Sequence, residues 1–313
     1  MDKISNNNYT FHGKELSELD NADLSKICIY GCISTYDTFI GNVQVIIDTI
    51  EEFHDKIVKP LDKDFTYRLK GKKIKDNLYR FDSEDWNKTK LLILNDRVER
   101  IVMQHSDKTL NDNISIFDSM RMSKNFIGFN VITEAQYPEE APLIEFFVTL
   151  LLYKTHVPNY VSSEFVSIIE KLTNRINSAG GFITIDCMRE LRAFSAHERY
   201  VGLTYMSASR QFDKYFRGYS WGNFLSKKHV ELLGGINLVE KEAPVYLVKR
   251  LQDGGAFLQL TEDINNVSND DLRKLKRFFQ PILPKAPICL FPSEATFRRM
   301  IIDDDDEKYY LNP

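Results

Sequence analysis

Six histidines, four cysteines and one run of five acids are the residues of this 313-residue chain whose chemistry could go beyond packing. His12, His54, His105, His156, His197 and His229 each stand alone, with no second ligand at metal-binding spacing. His197, Glu198 and Arg199 set an imidazole, a carboxylate and a guanidinium side by side, the ingredients of acid–base work. Adjacent residues on a helix or strand do not face each other, so the triplet reads as structural. Cys28, Cys32, Cys187 and Cys289 form no C-x-x-C pair. Cys28 and Cys32 share strand parity, but two thiols make no zinc site, and the four read as buried free thiols of a reducing compartment. Asp303, Asp304, Asp305, Asp306 and Glu307 concentrate charge that could attract a divalent cation. They lack the glycine turn of a calcium loop and read as a solvated end.

The motifs of phosphate-binding loops (GxxxxGK[ST], GxGxxG) and the HExxH metal helix do not occur in the sequence. The basic run Leu69–Lys75 (LKGKKIK) has no aromatic platform on which a base could stack, and reads as a solvated hairpin or loop. No enzyme, no cofactor and no metal is expected. If there were an active site, Asp186, Glu198 or the acidic end would have to supply it.

With 43% hydrophobic and 27% charged residues the chain is globular in composition, and its length allows a sizeable core in one large domain or two ordinary ones. Fifteen Tyr and 21 Phe favour strands and protein-binding surfaces. The net charge of −4 argues against a chain-wide nucleic-acid footprint. The opening residues, MDKISNNNYTFHG, lack the apolar stretch of a secretory signal, and the apolar run Phe146–Tyr153 is too short to span a bilayer. The expectation is a cytoplasmic protein without membrane contact.

Periodicity then supplies the elements. After an irregular lead-in (1–22), Ile27–Tyr36 alternates as a strand, and Val43, Ile46, Ile47, Ile50, Phe53 and Ile57 follow at helical spacing up to Pro60. A strand-like RFDS precedes a helix with Ser83 as its cap and Trp86 on it. Strands are expected at Arg100–Gln104, Ile114–Asp118 and Asn125–Thr133, and Leu143–Lys154 reads as a central strand. Ser162 or Ser163 would cap a helix carrying Phe165, Ile168, Ile169, Leu172 and Ile176, with Gly180-Gly181 ending it before the strand Phe182–Cys187. Val245–Leu251 and Ala256–Leu260 flank Asp253-Gly254-Gly255 as a hairpin, and Ser268 with Asp271 opens a helix closed by Pro281 and Pro284. The order predicts an α+β fold: mixed or antiparallel sheets with helices packed on one face, in two related strand–helix–strand halves. The halves would be residues 1–137 and 138–300, followed by the acidic tail 301–313, with one continuous domain as the alternative.

The stretch 219–235, YSWGNFLSKKHVELLGG, is over-specified as structure. Ser226 caps a helix of barely two turns, and Leu225, Val230 and Leu233 can reach one core. Gly234 stands where a left-handed residue belongs, Gly235 lets the chain leave sharply, and Trp221 would bury its ring beneath the turn. No nucleophile–base pair lies in it, so it is a clasp and not a catalyst.

Trp221, Phe224 and Leu225, then Leu232-Leu233-Gly234-Gly235, then Gly254-Gly255-Ala256-Phe257-Leu258-Gln259 and the helix up to Pro284, resemble the type VI secretion immunity protein family, formerly a domain of unknown function. Arg199-Tyr200-Val201-Gly202-Leu203 is similar to that family's RYPGL, with Val201 where proline is usual; Asn223 and Ser226 replace its more frequent Thr and Gly. The match covers roughly residues 140–285. It implies an immunity protein, an antitoxin that binds and neutralises a cognate effector toxin, with a non-inhibitory adaptor or chaperone-like module as the alternative. The partner would be a toxin protein, one with a basic nucleic-acid- or nucleotide-binding cleft in the version that uses the tail. No direct nucleic acid is expected, and a homo-oligomer is compatible with the reading. An acidic partner would be steered to a basic cleft, which makes Asp303–Glu307, with Tyr309 and Tyr310 as anchors, the candidate toxin-binding residues.

Overall fold

The computed structural model describes residues 10–11, 14–15, 18, 27–35, 43–60, 66–71, 73–74, 77–95, 98–104, 126–132, 143–149, 156–187, 216 and 219–283. Their strands are β1 (Thr10–Phe11), β2 (Lys14–Glu15), β3 (Ile27–Thr35), β4 (Thr66–Gly71), β5 (Leu78–Arg80), β6 (Val98–Gln104), β7 (Phe126–Ile132), β8 (Leu143–Thr149), β9 (Ser178–Cys187), β10 (Gly222–Leu225), β11 (Leu247–Arg250) and β12 (Ala256–Gln259). The α-helices are α1 (Val43–Phe53), α2 (Ser83–Leu94), α3 (Asn159–Thr173), α4 (Lys227–Leu232), α5 (Ile236–Glu242) and α6 (Asn269–Phe279). β1 and β2 pair with each other inside the expected irregular lead-in.

The fold is α+β. One large sheet has the strand order β11-β12-β10-β9-β3-β8-β7-β6-β4-β5, and every pairing in it is antiparallel. β3 lies between β8 and β9, so the sheet runs continuously across the division expected near residue 137. Because β8 and β9 each oppose β3, they are parallel to one another, and α3 crosses over β3 to join them. Likewise β3 and β4 are parallel with three strands between them, and α1 makes that crossover. The two crossovers start on antiparallel strands and travel in opposite directions across the sheet. Right-handed crossover therefore puts both helices on the same face.

Their contacts agree. Phe53 on α1 meets Phe165 on α3 edge to face at 6.0 Å. A ladder of ion pairs runs beside them: Arg175 to Asp48 (2.7 Å), Lys171 to Glu52 (2.5 Å), and Lys56 to both Glu52 (3.0 Å) and Glu164 (2.6 Å). Beneath, α3 presses on β3 where the strand has no side chain. A Cβ on Gly31 would stand 2.7 Å from the Ile169 Cδ1 and 3.2 Å from the Phe165 Cδ1. Ile29 and Ile33 share that face, while Cys28, Tyr30 and Cys32 are buried on the other, where Tyr30 packs on Phe182 at 5.5 Å. α1 continues as a π-turn over His54–Val58, a widened turn in which Phe53, Ile57 and Val58 are all buried. The His54 ring lies outward of it, stacked on Phe81 at 3.7 Å.

Several local expectations give way to specific competitors. α2 is capped by Asp82 and not Ser83, because the extended Asp82 carboxylate accepts the amides of Glu84 (3.1 Å) and Asp85 (3.0 Å). α3 starts four residues earlier than a Ser162 cap would allow: Pro158 stands at its N-cap, and Ser162 spends its hydroxyl on the Asn159 carbonyl. Gly180 and Gly181 do not end α3, which stops at Thr173; they lie within β9, where a Cβ on Gly181 would come 2.4 Å from the Cys32 carbonyl oxygen. Leu69 is buried within β4, so the basic run is only partly solvated. Ile114–Asp118 lies outside the described residues.

Burial alone would raise the Glu52 carboxyl, but the hydrogen-bonded Lys171 and Lys56 ammonium groups outweigh it and hold it below the usual range. Asp48 is lowered by the Gln44 amide and, against some burial, by Arg175. Depressed carboxyl values stabilise the fold above the unfolded pKa of about 4, and that contribution is lost as pH falls through the folded values. The pairs are half exposed, which screens them to about 0–1 kcal/mol each. A chain carrying Asp48→Asn and Glu52→Gln should melt about 2–4 °C below the parent at pH 7. The difference should shrink as pH falls below about 4 through the lowered folded values; thermal melts at successively lower pH from 7 check it.

Candidate protein-interaction surface

The clasp is built from the ground up by capping. Ser226 is extended (ψ 163°), accepts the His229 amide, and has its own amide accepted by the His229 Nδ1 at 3.3 Å. This is a capping box with an imidazole where Glu or Gln is usual, and the ring also meets Phe216 edge to face at 5.2 Å. The Ser226 hydroxyl lies 3.1 Å from the same Nδ1, so the stretch does hold a buried serine–imidazole pair, contrary to the expectation, with both groups engaged in the cap. At the other end of α4 the Gly234 amide donates to Glu231 and the Gly235 amide to Val230, the paired bonds of a Schellman stop. Gly234 has φ of 95°; Gly235, at φ 95° and ψ 164°, opens α5 in a region open only to glycine.

Trp221 is 1% exposed, and its Nε1 donates to the Thr261 carbonyl at 2.9 Å, while its own carbonyl accepts the Leu260 amide at 2.7 Å. Asn223, fully buried, exchanges two hydrogen bonds with the Ser220 backbone. Phe224 stacks on Phe257 at 4.6 Å, and Leu225 pairs with Ala256. The β11–β12 hairpin closes through Gly254 (φ 88°). A Cβ on Gly255 would sit 2.3 Å from the Leu225 carbonyl oxygen, so glycine is required there by contact. The structure thus brings Trp221, Phe224, Leu225, Gly254 and Gly255 into one packed block, with Gly234 and Gly235 forming the elbow beside it.

Asp303–Glu307, Tyr309 and Tyr310 lie outside the described residues, as do His12, His105, His197, Glu198 and Cys289. Asp186 stands opposite Cys28 in the register of β3 and β9. Among the described residues, no three His, Cys, Asp or Glu side chains come together as a metal site.

What the sequence reading missed is an apolar surface around the clasp. Leu232 on α4, Leu238 on α5, and Tyr246 and Leu247 at the start of β11 are 41–57% exposed, four large apolar side chains within sixteen residues. Leu238 comes close to Gly234 across the elbow, and α5 is tied to β11 by Arg250, which reaches Glu240 through two bonds (2.7 and 2.8 Å) and Asn237 at 3.2 Å. That guanidinium holds the Glu240 carboxyl below its usual range. Lys249 crosses instead to Glu170 on α3 at 2.7 Å. The signal was available: Leu232 falls out of phase with Val230 in α4 and with Leu233 at its C-cap, both of which are buried. Exposed apolar side chains on neighbouring elements, with charged residues between them, are candidates for protein contact.

No family model matches the chain, and no curated protein matches it. A solved structure, the Pseudomonas aeruginosa T6SS protein PA0821, is similar at a TM-score of 0.56 and 13% identity, over 90% of this chain and 81% of that one. At that identity the likeness is one of fold.

The clasp and the surface around it should separate under mutation. Trp221→Ala removes a buried ring and a hydrogen bond, a loss of about 3–5 kcal/mol, and should lower the melting temperature sharply. Leu232→Ser and Tyr246→Ala should stay within about 0.5 kcal/mol of the parent in denaturant titration. Equal losses for all three would place the exposed residues in the core.

Proposed function

We propose that this chain is an immunity protein that binds a cognate antibacterial effector toxin of a type VI secretion system in the cytoplasm and neutralises it by covering its active site. The observation that carries the reading is the likeness of fold, along nine-tenths of the chain, to a T6SS protein. The sequence resemblance over residues 140–285 points the same way. An exposed apolar surface on a firmly clasped frame supports it further, since inhibition by occlusion asks for a rigid contact surface and no chemistry of the inhibitor's own. Among the described residues no helix is long and apolar enough to cross a membrane.

Co-expression with the toxin encoded beside its gene tests the reading. Growth of a susceptible host should be restored by this chain and not by an empty vector. Binding without restored growth would instead favour the adaptor reading, and no binding would overturn both.

In the version of this proposal that uses the tail, the five acids at 303–307 steer the encounter with a basic cleft. Replacing them with Asn and Gln should slow association about tenfold at low salt and flatten its salt dependence, with little change in melting temperature. Unchanged association in stopped-flow mixing would remove the tail from the interface.

A further inference from the structure

The two ends of the large sheet are finished differently. At one end β5 is three residues long, and the Arg80 amide is taken up by the Asp85 carboxylate at 3.1 Å. At the other end β11 is the last strand of the sheet among the described residues. Its hairpin decides which backbone groups face out. The Leu251 amide donates to the Gly255 carbonyl at 3.0 Å, and the Gly254 amide returns to the Leu251 carbonyl at 3.2 Å. Antiparallel alternation from that closing pair turns the backbone groups of Leu247 and Lys249 toward β12. It leaves the amides and carbonyls of Val248 and Arg250 pointing away from the sheet.

Lysine or arginine free to sweep such an edge blunts it. Here Lys249 is drawn over one face to Glu170, and Arg250 over the other to Glu240 and Asn237. What flanks this edge, among the described residues, is apolar: exposed Leu247 on the Lys249 face, and exposed Tyr246 in the bend just before the strand, where its amide bonds back to the Leu260 carbonyl at 3.1 Å.

We infer that the outer edge of β11 receives an extended strand of the partner protein, whose backbone pairs with Val248 and Arg250 while its side chains meet Leu247 and Tyr246. The inference rests on the binding-protein reading above. Alternating donors and acceptors at strand spacing are complementary to another extended backbone. A second copy of this chain paired Val248 to Arg250 would set Lys249 directly opposite its own equivalent, and like charges so placed repel; a copy paired Val248 to Val248 escapes that, and the test below separates it from the partner strand.

The test compares Val248→Pro with Val248→Ala, and Arg250→Pro with Arg250→Ala, each in the full chain titrated calorimetrically with the toxin encoded beside its gene. Proline removes one outward amide and is tolerated on an edge strand where that amide faces solvent. Each proline variant should melt close to its alanine counterpart and bind at least tenfold more weakly. Lys249→Pro, which removes an inward amide, should melt well below Lys249→Ala. Should one proline variant fail to fold, the other pair still decides. Proline variants that bind as tightly as their alanine counterparts would overturn the edge and leave the binding reading standing, whereas a parent chain that does not bind the toxin would remove both. A parent that elutes alone as a dimer, broken by Val248→Pro, would also overturn it, because the occupant would then be a second copy.

Discussion

The contact on which the rest of the structure depends is that of α3 with β3 at Gly31. β3 is buried on both faces and bonded on both edges, to β8 and β9, so it can form only when segments more than a hundred residues away are in place. The missing side chain at Gly31 lets Ile169 and Phe165 close on the strand, and the same helix carries the crossover from β8 to β9. Gly181 makes the matching approach from the side, against the Cys32 carbonyl. Once α3 is seated, its outer flank receives α1 through Phe53 and the ion pairs, and its Glu170 receives Lys249 from β11. One helix therefore connects the sheet centre to the edge proposed to bind.

That arrangement suits a protein acting by contact. A frame that holds its outermost strand through ion pairs on both faces presents that strand in one geometry, which lowers the entropy lost on binding. The clasp serves the same end. Its capping box, Schellman stop and Trp221–Thr261 bond satisfy the backbone groups of a tight turn internally, and the apolar side chains left over face outward as surface.

Much of this was legible in the residues. The Ile-Cys-Ile-Tyr alternation marked β3, Ser226 and Ser268 marked their helices, and Asp253-Gly254-Gly255 marked the hairpin. Each is a signal in which the side chain itself satisfies or frees the local backbone. The errors have the opposite character. Gly180-Gly181 looked like a helix stop, but the smallness of Gly181 serves a contact with β3, which is distant in sequence, and Gly180 takes a φ of 142° within β9. Asp82 outcompeted Ser83 because an extended carboxylate one residue earlier reaches both free amides. α5 passed unnoticed because seven residues give too little periodicity. The exposed surface was missed for a related reason: Leu232 and Leu238 look like core residues until the neighbouring positions have claimed the core. Strand order was beyond reach, since nothing local says that β3 will insert between β8 and β9.

The central proposal is that the protein binds its partner through a surface gathered around the clasp, within residues 227–251. Hydrogen exchange of the free chain against its complex with the toxin, read peptide by peptide, tests it most directly. The account predicts new protection concentrated in 227–251, with β3 and α3 unchanged. Protection gained instead over β4, β5 and α2, with 227–251 exchanging as in the free chain, would contradict it.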